Sequence, residues 1–308
     1  MAGDVTLRQM EAFAALEEHP TMAAAAKALH LSESALSHSI STLEHALGQQ
    51  LCIRRRAHGV TLTPSGRAFA RQAREILRST ASLVAEASSH GDTLQGPIAL
   101  GCYAGLASNI LPVVIETMTR EHPGITISLT VGDNGELLEG MHDGRLDLAF
   151  LYDIALPSGL ELRPLYPTQV MAVLAADHPL AQRPEEEGIP LKDLADQPLI
   201  ALNTSPSTGN TALMFEQQGI EPVRGPLVPH SDLVRALVAR GLGYSLLMSR
   251  PHQIHQSSEG LPLATRPLEP RAGITNVVAA WPEAMRMHQR GLTLVDLTSR
   301  VLQDENYS

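Results

Sequence analysis

Residues 21–47 read TMAAAAKALHLSESALSHSISTLEHAL. The pattern is that of two short helices with a tight turn between them. Thr21 can cap the first, because its side-chain oxygen can accept one of the backbone N–H groups left orphaned at a helix start. Residues 22–29 are alanine-rich and suit a helix that packs closely. Ser32 is a second N-cap, and Glu33 adds favourable negative charge to the next first turn. Leu36, Ile40, Leu43 and Leu47 then recur at helical periodicity and form one apolar stripe. The opposite face carries Ser34, Ser37, His38 and Ser41. Short donors and acceptors of this kind suit a helix that enters the DNA major groove. An ordinary helical hairpin with a Ser-rich exposed face would leave the same pattern, so the flanks must discriminate.

Before the pair, residues 7–18 form a helix with Leu7, Met10, Phe13 and Leu16 on one side, ended by His19-Pro20. After it, two β-prone runs near residues 51–54 and 60–62 flank a basic turn with Gly59, a β-hairpin wing. Arg54, Arg55, Arg56 and His58 there suit phosphate contacts, which supply affinity but little sequence information. Thr63-Pro64 starts a further helix to about residue 89. Phe69, Ala73, Ile76 and Leu83 lie on one side of it at heptad-like spacing, and Arg67, Arg71, Arg74 and Arg78 line another. Such a helix wants a partner, most simply its copy in a second subunit; packing on the chain's own C-terminal part is the alternative.

This region resembles the LysR-type transcriptional regulators. The resemblance is carried by LRQMEAF at 7–13, AAAKALHLS at 24–32, SALS at 34–37, Leu43-Glu44 with Leu47-Gly48 and Leu51, and LTPSG at 62–66. Three positions depart from the family pattern: Glu33-Ser34 stands where Gln-Pro is usual, His38 where a long side chain such as arginine is usual, and Cys52 where an aromatic is usual. The first two lie on the base-reading face, so they bear on the operator sequence rather than on the binding mode. The resemblance implies that Thr21, Ser32, Ser34, Ser37, His38, Ser41 and the wing residues contact DNA. It also implies that Phe69, Ala73, Ile76 and Leu83 pair two heads in a dimer.

The chain has 308 residues, 44% of them hydrophobic, and a net charge of −10, which excludes a uniformly basic nucleic-acid coat. One Trp, four Phe and five Tyr argue against single-strand binding by base stacking. No secretory signal or bilayer-spanning run is read, so a cytoplasmic location and no membrane partner are expected. Cys52 and Cys102 fall in different units and give no disulfide framework.

Residues 90–97 contain Gly and Pro and form a hinge. Beyond it, strands are expected at 98–101, 125–131, 146–151, 170–175, 199–202, 244–248 and as one return strand over 268–281. Helices are expected at 109–121, after 135, at 211–218, 233–240 and 283–302, with residues 102–107 as a small-residue turn. This alternation indicates an open, largely parallel α/β sheet. Crossovers near 164–167 and 266–267 divide it into two lobes. The organisation is thus a winged helix-turn-helix head at 1–63, a linker helix at 64–90, a hinge at 91–96 and an effector domain at 97–308. Lobe 1 spans about 97–165 and 267–308, and lobe 2 about 166–266. The two lobes resemble the family's effector domain, which looks like a type 2 periplasmic solute-binding protein. That likeness rests on 101–112, GRLDLA at 144–149, DHPL at 177–180 and GLG at 241–243.

In open α/β sheets a ligand sits beyond the C-terminal strand ends, where helix N-termini present free N–H groups. The segments at such places hold Cys102, Tyr103 and Ala104; Asp133 and Asn134; Asn203, Thr204 and Ser205; and His230, Ser231 and Asp232. A small organic anion is the default effector. For Ser205, Asp133 and Asp232 a local cap or loop hydrogen bond explains the residue equally well. No Walker loop, G-x-G-x-x-G, G-x-S-x-G, H-E-x-x-H or paired CxxC occurs, and no catalytic residues are read. His252, His255 and Glu259 could suggest a metal, but a polar, Pro-flanked surface segment is the cheaper reading; no metal and no cofactor are expected. The expected function is transcriptional regulation, with double-stranded DNA bearing an interrupted palindrome, a small-molecule effector, a homodimer or homotetramer, and RNA polymerase as partners. Two other readings stay open: a small-molecule binding or transport protein with an accessory head, and a thiol redox sensor through Cys102.

Overall fold

Capping hydroxyls set the helix starts of the head. Thr6 and Gln9 form a capping box at α1 (Leu7–Glu18). Thr21 Oγ1 accepts from Ala24 N at 3.1 Å to start α2 (Met22–Ala28). Ser32 Oγ accepts from Ala35 N at 3.1 Å to start α3 (Glu33–Leu47), which ends at Gly48 with φ 64°. Leu36, Ile40 and Leu43 are fully buried against Phe13, Leu16 and Ala25, whereas Leu47 is 38% exposed. The wing is β1 (Cys52–Arg55) paired antiparallel with β2 (Gly59–Leu62). The structure describes residues 5–19, 21–55, 59–88, 94–184, 187–249 and 255–304, and is a computed structural model.

Thr63 caps α4 (Pro64–Ser88) by accepting from Gly66 N at 3.0 Å. At Gly66 a Cβ would lie 1.9 Å from the Leu51 carbonyl oxygen, so only glycine lets α4 start against the wing. The linker face expected to pair subunits divides in two. Phe69 meets Phe13 edge-on, with ring centroids 5.5 Å apart, and Ala73 is buried. Phe69 therefore packs within the chain's own head, because α1 covers the first turns of α4, and buried Ala73 is not open to a second subunit. Ile76 and Leu83, at 44% and 66% exposure, remain open on the distal half.

The effector domain begins with β3 (Gly96–Tyr103), α5 (Ala104–Glu121), β4 (Ile125–Gly132), α6 (Asn134–His142), β5 (Leu148–Tyr152) and β6 (Leu160–Ala175). Then come β7 (Ile189–Pro190), β8 (Pro198–Leu202), α7 (Ser207–Gln217), β9 (Val223–Val228), α8 (Ser231–Ala239) and β10 (Ser245–Ser249). The described chain closes with β11 (Leu263–Glu269), β12 (Thr275–Pro282) and α9 (Gln289–Asp304). One sheet runs β4-β3-β5-β12-β6-β11-β7 with β10 also on β6, and β8-β9 form a separate pair.

Several expectations change. The sheet is mixed: β3 is parallel to β4 and β5, but β12 is antiparallel to β5 and β6, as are β10 and β11 to β6. Residues 164–167 are no break. β6 runs through them as one strand, pairing with β12 over its first part and with β10 and β11 over its second. A bulge opposite Val277/Val278 accommodates the prolines. The single return strand of 268–281 is two strands, so the second crossover is the 270–274 segment and Leu268 packs in lobe 2. Residues 102–107 are no turn, since β3 passes directly into α5. Residues 89–93, most of the expected hinge, lie outside the described residues.

The lobes keep separate cores. One holds Leu100, Phe150, Val277 and Leu294, and two smaller ones hold Leu174, Phe215 and Leu268, and Val173, Val234 and Leu247. The two crossing segments touch where Val170 N donates to Ala272 O at 3.2 Å. Gly273 beside it has φ 59°, and a Cβ there would lie 2.4 Å from a Val170 methyl. Both its conformation and its closeness to Val170 require glycine.

Candidate functional site

Two surfaces carry candidate chemistry. On the head, Ser34, His38 and Ser41 of α3 are exposed and Ser37 is half-buried. The wing is fixed to this helix twice. Glu44 accepts from Leu51 N at 2.7 Å and Cys52 N at 3.0 Å. Arg54 donates to Ser37 Oγ at 2.6 Å, Ser37 O at 3.3 Å and Ser41 Oγ at 2.9 Å. The sequence reading gave Arg54 to phosphate; in the structure its guanidinium is engaged by the helix it was expected to flank. Thr21 and Ser32 serve as caps. Arg56 and His58 lie outside the described residues, as does the Arg55 side chain.

The linker arginines do not all face solvent. Arg71 donates toward His142 Nε2 at 3.0 Å, Arg74 to Asp143 O at 2.9 Å and Arg78 to Gly144 O at 2.8 Å. Arg74 also pairs with Glu17, and Arg78 with Asp147 at 3.2 Å. The carbonyls at the C-terminal end of α6 are thus held by the linker helix, an arrangement the negative end of a helix dipole favours.

Among the described residues the cleft between the lobes holds these adjoining cavities. The outer one, about 550 Å³, is walled by Asp133, Ile154, Ala155, Asn203, Thr204, Ser205, Pro206 and Leu213, among others. A middle one of about 150 Å³ touches Tyr103, Ala104, Thr204, His230, Ser231 and Asp232. An inner one of about 30 Å³ touches Tyr103, Asn109, Tyr152, Ser207, Ser231 and Arg235. Tyr103 OH and Thr204 Oγ1 share a hydrogen bond of 2.7 Å that joins lobe 1 to lobe 2. Seven of the nine predicted effector residues therefore come together: Tyr103, Ala104, Asn203, Thr204, Ser205, His230 and Ser231.

Two do not. Cys102 points into the lobe 1 core, fully buried, and burial pushes its thiol up to about 12. It is the last but one residue of β3, where alternation turns its side chain from the cleft. Asn134 is 5% exposed, lines none of these cavities, and its Oδ1 finds no partner among the described residues. Asp133 Oδ1 is taken by Glu136 N at 2.9 Å, the local cap that the sequence left open. Arg235, Tyr152 and Asn109 were missed. Arg235 stands four residues after Ser231, hence on the same helical face, and that spacing was the available signal.

The N-termini of α5, α7 and α8 reach the cleft, and their cap residues Tyr103, Pro206 and His230 make no side-chain cap bond. In α7 the Thr208 N–H is taken by Thr204 O at 3.1 Å, whereas in α5 and α8 the first N–H groups are left for an external acceptor. Burial raises the Tyr152 hydroxyl well above its ordinary value while Arg235 opposes the shift, so this phenol stays protonated. Of the metal reading, Glu259 is held by Arg240 at 2.8 and 2.9 Å, and His252 lies outside the described residues. Among the described residues no helix is long and apolar enough to cross a membrane.

Residues 7–67 match the family described as "Bacterial regulatory helix-turn-helix protein, lysR family", and residues 91–303 match the "LysR substrate binding domain". A "Probable hydrogen peroxide-inducible genes activator" of Streptomyces viridosporus is 32% identical over 272 residues, 87% of this chain and 85% of that one. The "DNA-binding transcriptional dual regulator OxyR" of Escherichia coli K12 is 28% identical over 283 residues, 92% of this chain and 87% of that one. The crystal structure of HinK, a LysR family regulator of Pseudomonas aeruginosa, superposes with a TM-score of 0.62 at 31% identity, covering 97% of this chain and 99% of that one. With its helix-turn-helix head and its two-lobed effector-binding domain both matched, this chain belongs to the LysR family of DNA-binding transcriptional regulators and is not an enzyme.

Proposed function

We propose that this regulator responds to a small organic anion bound between its lobes. The observation that carries this reading is that helix N-termini without side-chain caps border adjoining cavities of one cleft, α7 the outer one of about 550 Å³ and α5 and α8 the middle one of about 150 Å³. Tyr103, Thr204, His230 and Ser231 contact the ligand; no prosthetic group takes part. On DNA, Ser34, His38 and Ser41 face the bases, and Arg55 with the wing turn meets phosphate. The protein works in the cytoplasm as a dimer or tetramer on an interrupted palindrome, paired through the open distal half of α4, with RNA polymerase as a further partner.

Coupling runs through α6. Its N-terminal cap Asp133 belongs to the wall of the outer cavity, and its C-terminal end is held by Arg71, Arg74 and Arg78 of the linker helix. A ligand that prefers one lobe closure moves this rigid rod, and with it the linker that spaces the heads.

The names of the relatives favour a second reading, peroxide sensing. It would need a reactive thiol, and this chain has two cysteines, both buried. Cys102 has its thiolate suppressed by burial and has no second cysteine in its domain to resolve an oxidised form. The organic-anion reading is therefore preferred. A thermal-shift screen of the full chain against carboxylates, aromatic acids, amino acids, sugars and hydrogen peroxide tests it, because a ligand of the folded state raises Tm by mass action. An acid that raises Tm and alters operator affinity is expected. A response to peroxide alone would overturn the reading.

A further inference from the structure

We propose that Arg235 anchors a carboxylate group of the effector in the inner chamber, and that the effector is a monocarboxylic acid whose apolar body lies in the outer cavity. This rests on the interlobe reading above and makes it specific.

The inner chamber, about 30 Å³, offers room for one small polar group such as a carboxylate head. Among the described residues its cation is Arg235, whose Nε is buried and makes no hydrogen bond to them. The partner this guanidinium does have is Asp232, Nη1 to Oδ1 at 3.6 Å, with the Asp232 side chain 68% exposed. A pair so exposed contributes little. It also engages one corner of the fork and leaves the Nε side open. A guanidinium presents parallel N–H groups that match the two oxygens of a carboxylate. Ser231, Asn109 and the protonated Tyr152 surround the same space with neutral polar groups, which satisfy a bound oxygen without a competing charge.

The cavities also set the shape of the ligand. Tyr103 borders the inner and middle chambers, and Thr204 borders the middle and outer ones. Their mutual hydrogen bond stands between the charged end and the large cavity. Ile154, Ala155, Pro206 and Leu213 give the large cavity apolar walls. Asp133, the acid in that wall, is already engaged as a helix cap. An acid entering head first thus places its charge on Arg235 and its hydrocarbon on these residues. In doing so it exchanges the Tyr103–Thr204 bond across the lobes for contacts of its own.

The test uses the full-length protein and matched pairs of probes: benzoate with benzamide, cyclohexanecarboxylate with its carboxamide, and hexanoate with hexanamide, followed by calorimetry and thermal shift. At least one acid is expected to bind ten-fold or more tightly than its amide. Arg235→Gln should erase that preference while leaving the Tm of the free protein unchanged, and Arg235→Lys should restore part of it. Equal binding of acid and amide, an acid indifferent to Arg235→Gln, or no binding by any acid of the panel overturns the proposal. Leu213→Trp separates this from failure of the interlobe reading: a probe bound equally well with the outer cavity filled sits elsewhere, and then the cleft itself is not the effector site.

Discussion

Replacing Arg54 by alanine distinguishes two roles for the wing. If Arg54 contacts phosphate, its loss removes one released counterion. The slope of log affinity against log salt then falls by about 0.9, equally for all sequences. The structure argues for a different outcome. Arg54 Nη1 and Nη2 hold Ser37 Oγ and Ser41 Oγ at 2.6 and 2.9 Å, and Ser37 O at 3.3 Å, all on the face of α3 proposed to read bases. Hydrogen bonds from a charged donor are worth about 1.5–3 kcal/mol when sheltered, but the Arg54 side chain is exposed and solvent screens much of this. About 1 kcal/mol for the set is a fair sum. Releasing the clamp frees two serine rotamers and the wing angle, so about that much discrimination between operator and unrelated duplex should go. That is roughly a five- to ten-fold fall in the specificity ratio, with the salt slope unchanged. Fluorescence anisotropy on both duplexes through a salt series measures both quantities. A slope reduced by nearly one with the specificity ratio intact would refute the clamp and return Arg54 to the phosphates.

Arg74→Met should lower stability by about 2–4 kcal/mol in urea unfolding, because it removes the Asp143 carbonyl bond and strands Glu17 at the head; a loss below 0.5 kcal/mol, about the effect of an ordinary surface change, would show that α4 is not docked on α6. In the native protein Cys102 should resist iodoacetamide and peroxide near neutral pH yet react after unfolding, and mass spectrometry of native and urea-treated samples decides this. The sign follows from its raised value: the buried thiol leaves stability untouched below the ordinary value of 9.0 and erodes it as pH climbs from there toward about 12. Asn134→Leu should leave effector affinity within about two-fold and hold or raise stability by about 1 kcal/mol, since it removes a buried oxygen without a partner; a large loss of effector binding by calorimetry would put Asn134 back in the site.

What could be read ahead of the structure was whatever a few neighbouring residues determine. Ser32 with Leu36, Ile40 and Leu43 specifies both where α3 begins and which side it buries, and both are found. Pro164 and Pro167 misled because proline normally ends a strand, and only the partner strand supplies the bulge opposite Val277/Val278 that lets β6 continue. The break between β11 and β12 had a local sign in Pro270 and Gly273 that was passed over. The heptad-like row on α4 told that Phe69 wants an aromatic or aliphatic neighbour, but a period cannot say whose; Phe13 of the same head, 56 positions earlier in number, takes that place.

The cleft sharpens the same point. Each of its helix starts could be located from its own segment, which is why seven of nine expected residues gathered there. Arg235 escaped because its meaning depends on Tyr103 and Tyr152, brought beside it by β3 and β5 from the other lobe. A cation one turn inside a helix reads as a solvated surface charge until the opposite wall is known, and that wall is what removes water from Nε. If Arg235 holds the effector, the chemistry that selects a ligand is written in residues from both lobes at once. A change of effector between related chains would need only the residues facing across the cleft to change, leaving the caps, the glycine contact at Gly273 and the α6 rod as they are.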